Sequence, residues 1–240
     1  MRSGNPALRH NAFNVPQSYD SENAMTIQGT VNKTFFLLFL CVLSASWVWG
    51  RMQLGIALLI PAAIVGFIVG LVTVFNKRWA GITAPIYALV EGVVVGAISS
   101  YFEKTYPGIV IQAVSLTFGT LFCLLLAYKS RLIKVTENFK LGVVAATGSV
   151  MMIYAVNLIL SFFGIRIPFI HESGIIGIGF SLVVIVIASL NLVLDFDFIE
   201  KGAENGAPRY LEWYGAFGLM VTLIWLYLEI LRLLAKLRRR

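Results

Sequence analysis

The chain has 240 residues, 58% of them hydrophobic and only 13% charged, with a net charge of +7 and a mean hydropathy of +0.83. A soluble domain carries roughly 25% charged residues, so composition points to an integral membrane protein. The basic residues sit in short connections and at the C-terminus, as membrane orientation requires, which argues against a nucleic-acid surface.

Residues Met1 to Asn32 are polar and lack an apolar segment with a cleavage pattern, so they read as a flexible tail and not as a signal peptide. Seven apolar runs follow: Thr34–Gly50, Leu54–Phe75, Ile82–Phe102, Gly108–Tyr128, Leu141–Phe163, Gly174–Leu194 and Tyr210–Leu234. Each is about long enough to cross the hydrocarbon core as a helix, and backbone in lipid has little alternative. The expected fold is all-α, an integral membrane bundle of seven transmembrane helices. A tail over 1–32, a transmembrane domain over 33–236 and a basic tail over 237–240 make up the chain. Trp47, Trp49, Trp79 and Trp213 lie at run ends as interfacial anchors. Small-residue spacings, Gly92–Gly96 and Gly174–Gly177–Gly179, permit close helix approach, and Pro61 is a candidate kink.

Counting lysine and arginine in the connections orients the bundle. With the N-terminus inside, Arg2, Arg9, Lys33, Lys77, Arg78, Lys129, Arg131, Lys134, Lys140, Lys201 and Arg209 are cytoplasmic, against Arg51, Lys104 and Arg166 outside. The bias predicts a cytoplasmic N-terminus, in a cell-membrane protein. The basic C-terminus, Arg232, Lys236 and Arg238 to Arg240, conflicts with seven full spans; the early helices usually dominate orientation, so seven spans are expected.

Cys41 and Cys123 lie singly in apolar runs and read as packing residues. His10 and His171 lie outside the runs, which disfavours a histidine-ligated metal or haem in the bilayer. No Gly-x-Ser-x-Gly elbow or His-Glu-x-x-His helix is present, and no lysine falls within the seven runs to form a retinal Schiff base. The expectation is a protein that is not an enzyme and uses no cofactor.

The acids within the runs carry the functional signal. Asp195 and Asp197 close an uncharged stretch, Gly174 to Leu194; Glu91 sits mid-run; Glu212 and Glu229 lie near the two ends of the last run. Intramembrane acids tend to face the bundle interior and mark ion or proton pathways. Asp195 and Asp197 are two residues apart and point to nearly opposite sides of a helix. Asp195 is thus the candidate switch and Asp197 a residue of the headgroup region. Measured from the turn-rich connection Lys201–Pro208, Asp195 lies about 9 Å and Glu212 about 6 Å into their helices, whereas Glu229 lies about 30 Å away. Depth therefore pairs Asp195 with Glu212, as a shared-proton or transient-cation site. Glu229 reads as a helix-end ion pair with Arg232.

The stretch Asp195-Phe196-Asp197-Phe198-Ile199-Glu200-Lys201, with Glu204-Asn205-Gly206, resembles the end of the sixth helix in the Bax inhibitor motif family. Leu226-Tyr227-Leu228-Glu229 resembles that family's Leu-Tyr-Leu-Asp motif, and Glu91-Gly92 its early Glu-Gly element. The resemblance is clearest over Gly174–Leu234. It implies seven helices with the last one central and a pH-sensitive calcium leak governed by acids on the sixth and last helices. It also implies links to stress survival and, in bacterial relatives, to a membrane-bound protease. Asp195 matches the sixth-helix aspartate best, with Asp197 the alternative; Phe196 and Asp197 replace the usual Thr-Gln. The last-helix acid is a glutamate here; the motif selects Glu229, whereas depth selects Glu212 and is followed for the sensor pair.

Two functions are weighed. The first is a proton-sensitive cation leak. The second is a non-transporting regulator that binds a membrane protease or other membrane protein, for which a polar tail suits.

Overall fold

The computed structural model describes residues 24–163 and 174–239. The polar stretch 1–23, His10, Arg166, His171 and Arg240 lie outside the described residues. Seven long helices account for the described chain: α1 (Ile27–Trp49), α2 (Met52–Phe75), α3 (Ala80–Thr105), α4 (Ile109–Lys129), α5 (Glu137–Phe162), α6 (Ile175–Glu204) and α7 (Leu211–Arg238). All seven are long and apolar enough to cross a membrane, and intrahelical bonding satisfies their backbone where water is absent.

Helix ends follow from local chemistry. Thr26 caps α1, its hydroxyl accepting from Gly29 N at 2.9 Å. Helix α1 thus starts within the stretch 1–32 expected to be tail, because polar Gln28, Asn32 and Lys33 form its first turns. Its start is pinned further where Met25 N donates to Ala207 O at 2.7 Å. Between α3 and α4, Gly108 takes a left-handed conformation, φ 79°, while Glu103 accepts from Gly108 N and Val110 N at 2.6 and 3.0 Å. Helix α6 ends at Gly206, φ 63°, with Ala207 N donating to Gly202 O and Gly206 N to Ala203 O. This left-handed cap satisfies carbonyls that the helix leaves open. Helix α2 continues through Pro61.

Helix α7 is the axis of the bundle. Its apolar span is 61% buried inside the protein, against 11% for α2 and for α5. On one side Ala216, Phe217, Met220 and Ile224 pack on Leu37 and Cys41 of α1 and Ala84 and Ala88 of α3. On the other, Leu223, Leu226, Ile230 and Leu231 pack with Ile109 and Ala113 of α4 and Leu192 and Phe196 of α6. Helix α2 lies outside, against α3, and α5 lies outside, against α6. The Gly92–Gly96 spacing is a true close approach. A Cβ on Gly92 would fall 1.9 Å from Ser44 Oγ and one on Gly96 2.6 Å from Ala45 O, both on α1. In the second spacing, Gly174 and Gly179 face open space.

The basic end of α7 meets the far ends of its neighbours. Arg238 donates to Pro107 O at 2.8 Å and to Gln112 Oε1 at 3.1 Å. The start of α1 and the end of α7 thus lie at opposite faces of the bundle, and Arg232, Lys236 and Arg238 are engaged by the protein itself.

Candidate functional site

Asp195 stands on the face of α6 that meets α7. A Cβ on Gly218 would lie 3.6 Å from Asp195 Oδ1, and the Thr222 hydroxyl one turn further faces the same carboxylate. Asp195 Oδ2 is sealed and, among the described residues, has no hydrogen-bond partner.

Asp197 diverges from Asp195, as the two-residue spacing requires, but it is not a solvated headgroup residue. It is buried and paired with Lys201, one turn on, at 2.8 Å and with Lys140 of α5 at 3.4 Å. Lys140 also holds Glu137 at 3.0 Å. Phe196 between the two acids packs on Tyr128 of α4, whose hydroxyl donates to Glu200. Tyr128 of α4, Glu137 and Lys140 of α5 and Asp197, Glu200 and Lys201 of α6 thus meet at this end of the bundle.

The expected Asp195–Glu212 pair does not form. Glu212 turns to α1, accepting from Thr26 N and Thr26 Oγ1 at 2.9 Å each and pairing with Lys33. Gly29 makes room, since a Cβ there would fall 2.3 Å from Glu212 Oε1. The depth estimate fails because α6 continues to Glu204 and α7 starts only at Leu211. Asp195 therefore lies deeper than counted, level with Gly218 and Thr222, and Glu212 stays at the helix mouth about 9 Å away along α7. No transient cation site joins the two acids.

Glu229 is 1% exposed. Its Oε1 accepts from Arg232 and from the Tyr154 hydroxyl of α5, each at 2.8 Å. The expected Glu229–Arg232 pair is present, with a third member that sequence spacing does not show. Its Oε2, like Asp195 Oδ2, is sealed and without a partner.

Glu91 stands apart, on the α2/α3 seam. A Cβ on Gly66 of α2 would lie 3.2 Å from Glu91 Oε2. Tyr87, one turn before it, stacks edge-on against Phe217 of α7 with ring centroids 5.0 Å apart. Helix α6 packs on α4, α5, α7 and, lightly, α1, so a path past Glu91 does not run beside Asp195.

Sequence reading missed Lys236. It is buried, donating to Gly177 O at 2.9 Å and Ser181 Oγ at 2.8 Å. The expectation that spans hold no lysine fails here, since α7 runs past Leu234 to Arg238. A heptad signal was present: Thr222, Glu229 and Lys236 share one face of α7, and Ser181, Ala188 and Asp195 share one face of α6. The antiparallel register that sets Asp195 against Gly218 and Thr222, and Ser181 against Lys236, sets Glu229 against Val184 and Ala188. Among the described residues, no group of three or more histidine, cysteine or acidic side chains is placed to hold a metal ion.

Seven membrane-length helices around a central last helix, with acids buried beside it, define a multi-pass membrane protein. A family model described as Bax inhibitor 1 like matches residues 5–239. The chain belongs to that family, over nearly its whole length. No curated protein matches it.

Proposed function

We propose that the protein is a pH-sensitive leak for cations, calcium among them, that runs along the α6/α7 seam. One observation carries this reading. Asp195 Oδ2 and Glu229 Oε2 are sealed side-chain oxygens without a hydrogen-bond partner, and both belong to that seam. A buried carboxylate oxygen left without a partner is costly, and an acid within a membrane span marks an ion or proton pathway. A proton or a cation arriving at either acid relieves that cost, so the seam responds to both. Gly218, opposite Asp195, leaves space for the change.

The positive-inside count supports a cytoplasmic N-terminus and places Asp195 in the half of the seam nearer the cytoplasm. A cell-membrane location accompanies the orientation reading, and a role in stress response is what the family resemblance implies. Glu91 is a separate acid on the α2/α3 seam, away from the α6/α7 path, and has no part in this leak.

Liposomes loaded with a calcium-sensitive dye test the proposal. Flux that varies with pH, and loses that variation in Asp195→Asn and Glu229→Gln, supports it. Absence of flux at every pH sinks it. Retention of a membrane protease in a pull-down that needs the N-terminal stretch would then favour the non-transporting regulator.

A further inference from the structure

Lys236 is a buried ionisable group that the proposed leak does not use. Its ammonium sits where α6 begins and α7 ends, held by the Gly177 carbonyl at 2.9 Å and the Ser181 hydroxyl at 2.8 Å. A carbonyl and a hydroxyl are the oxygen donors that also replace the water shell of a hard cation. Two turns nearer the midplane, on the same face of α7, lies Glu229 with its free Oε2. Arg232, on the turn between, is already engaged by Glu229 Oε1 and by Tyr154. Among the described residues, the charged groups acting on Lys236 are Arg232 and Glu229, both from α7, with polar Ser181 from α6.

We propose that Lys236 is a tethered cation plug. Its ammonium occupies the outermost cation seat of the α6/α7 seam, the one made by Gly177 O and Ser181 Oγ, and blocks passage between that face and Glu229. The geometry supports more than a helix-end contact. A terminal lysine ordinarily reaches to water or headgroups, whereas Lys236 turns inward, is 7% exposed and bonds to the neighbouring helix. A permeant ion must displace it, and a fixed positive charge in a pore is an electrostatic barrier to cations. This inference rests on the leak running along the seam.

The experiment is calcium flux in dye-loaded liposomes with wild type, Lys236→Met, Lys236→Arg, Ser181→Ala and Lys236→Met/Glu229→Gln, each checked for monodispersity before reconstitution. Lys236→Met removes the charge and keeps the bulk, and is expected to raise flux about tenfold. Lys236→Arg keeps the seam closed, Ser181→Ala raises flux less than Lys236→Met, and the double variant returns toward wild type because the next seat is gone. If Lys236→Met does not fold, Ser181→Ala carries the test, since it loosens the plug without unpairing a charge. A measurable wild-type leak that neither variant increases overturns the plug and leaves the leak standing. Silence of wild type and every variant at all pH values overturns both.

Discussion

Asp195 faces Gly218 across the α6/α7 seam, with 3.6 Å between its Oδ1 and the place a Cβ on Gly218 would occupy. A single methyl fits there in ordinary contact, so Gly218→Ala should fold as the wild type does, within about 0.5 kcal/mol. Thr222→Val removes the hydroxyl that faces the same carboxylate and should move the pH of half-maximal flux by at least about 0.5 unit. A pH profile in liposomes that superimposes on the wild type would separate Asp195 from gating.

Glu212→Gln tests the acid that depth alone would have chosen. It weakens a charged cluster with Lys33 and Thr26 and should cost about 1–3 kcal/mol, read as a lower melting temperature in detergent. The pH profile of flux should not change, since Glu212 belongs to the α1/α7 mouth and not to the α6/α7 seam.

Asp197→Asn removes the anion that Lys140 and Lys201 share. Thermal stability should fall while the pH profile keeps its shape. A profile as flat as that of Asp195→Asn would transfer the gating role to Asp197.

Gly92→Ala inserts a methyl 1.9 Å from Ser44 Oγ and 2.3 Å from Cys41 O. The α1/α3 contact must open, at a cost of at least about 1–3 kcal/mol. Thermal unfolding in detergent measures it, and Gly179→Ala, which meets open space, is the matched control.

Helix α7 runs from one face of the bundle to the other, so single cysteines introduced as Asn205→Cys and Arg239→Cys in a cysteine-free background should label from opposite sides. In right-side-out vesicles, an impermeant thiol reagent should reach the second and spare the first. The reverse pattern would invert the orientation that the lysine and arginine bias predicts.

Most of the fold was legible in the chain because lipid leaves a hydrophobic segment few structural choices. Run length alone located seven helices, and the resemblance named the central one. Helix ends were less legible: α1 starts in a polar stretch, and α6 continues ten residues past its uncharged run to Glu204. Those residues stay helical because Asp197 and Glu200 find partners on neighbouring helices, and Lys201 pairs with Asp197 one turn back. Hydropathy cannot register such pairing.

That extension decided the site. The sequence by itself determined that Asp195 and Asp197 face different ways, since helical geometry fixes the angle between residues two apart. It also placed Arg232 beside Glu229 by the same geometry. Only the tertiary structure decided depth and partner: Glu212 pairs with Lys33 of α1 and its cap Thr26, and Asp195 meets a glycine and a threonine. Lys236 is drawn inward by oxygens of α6 distant in sequence. Register between two antiparallel helices depends on where each helix stops, and that is set by contacts from the rest of the bundle.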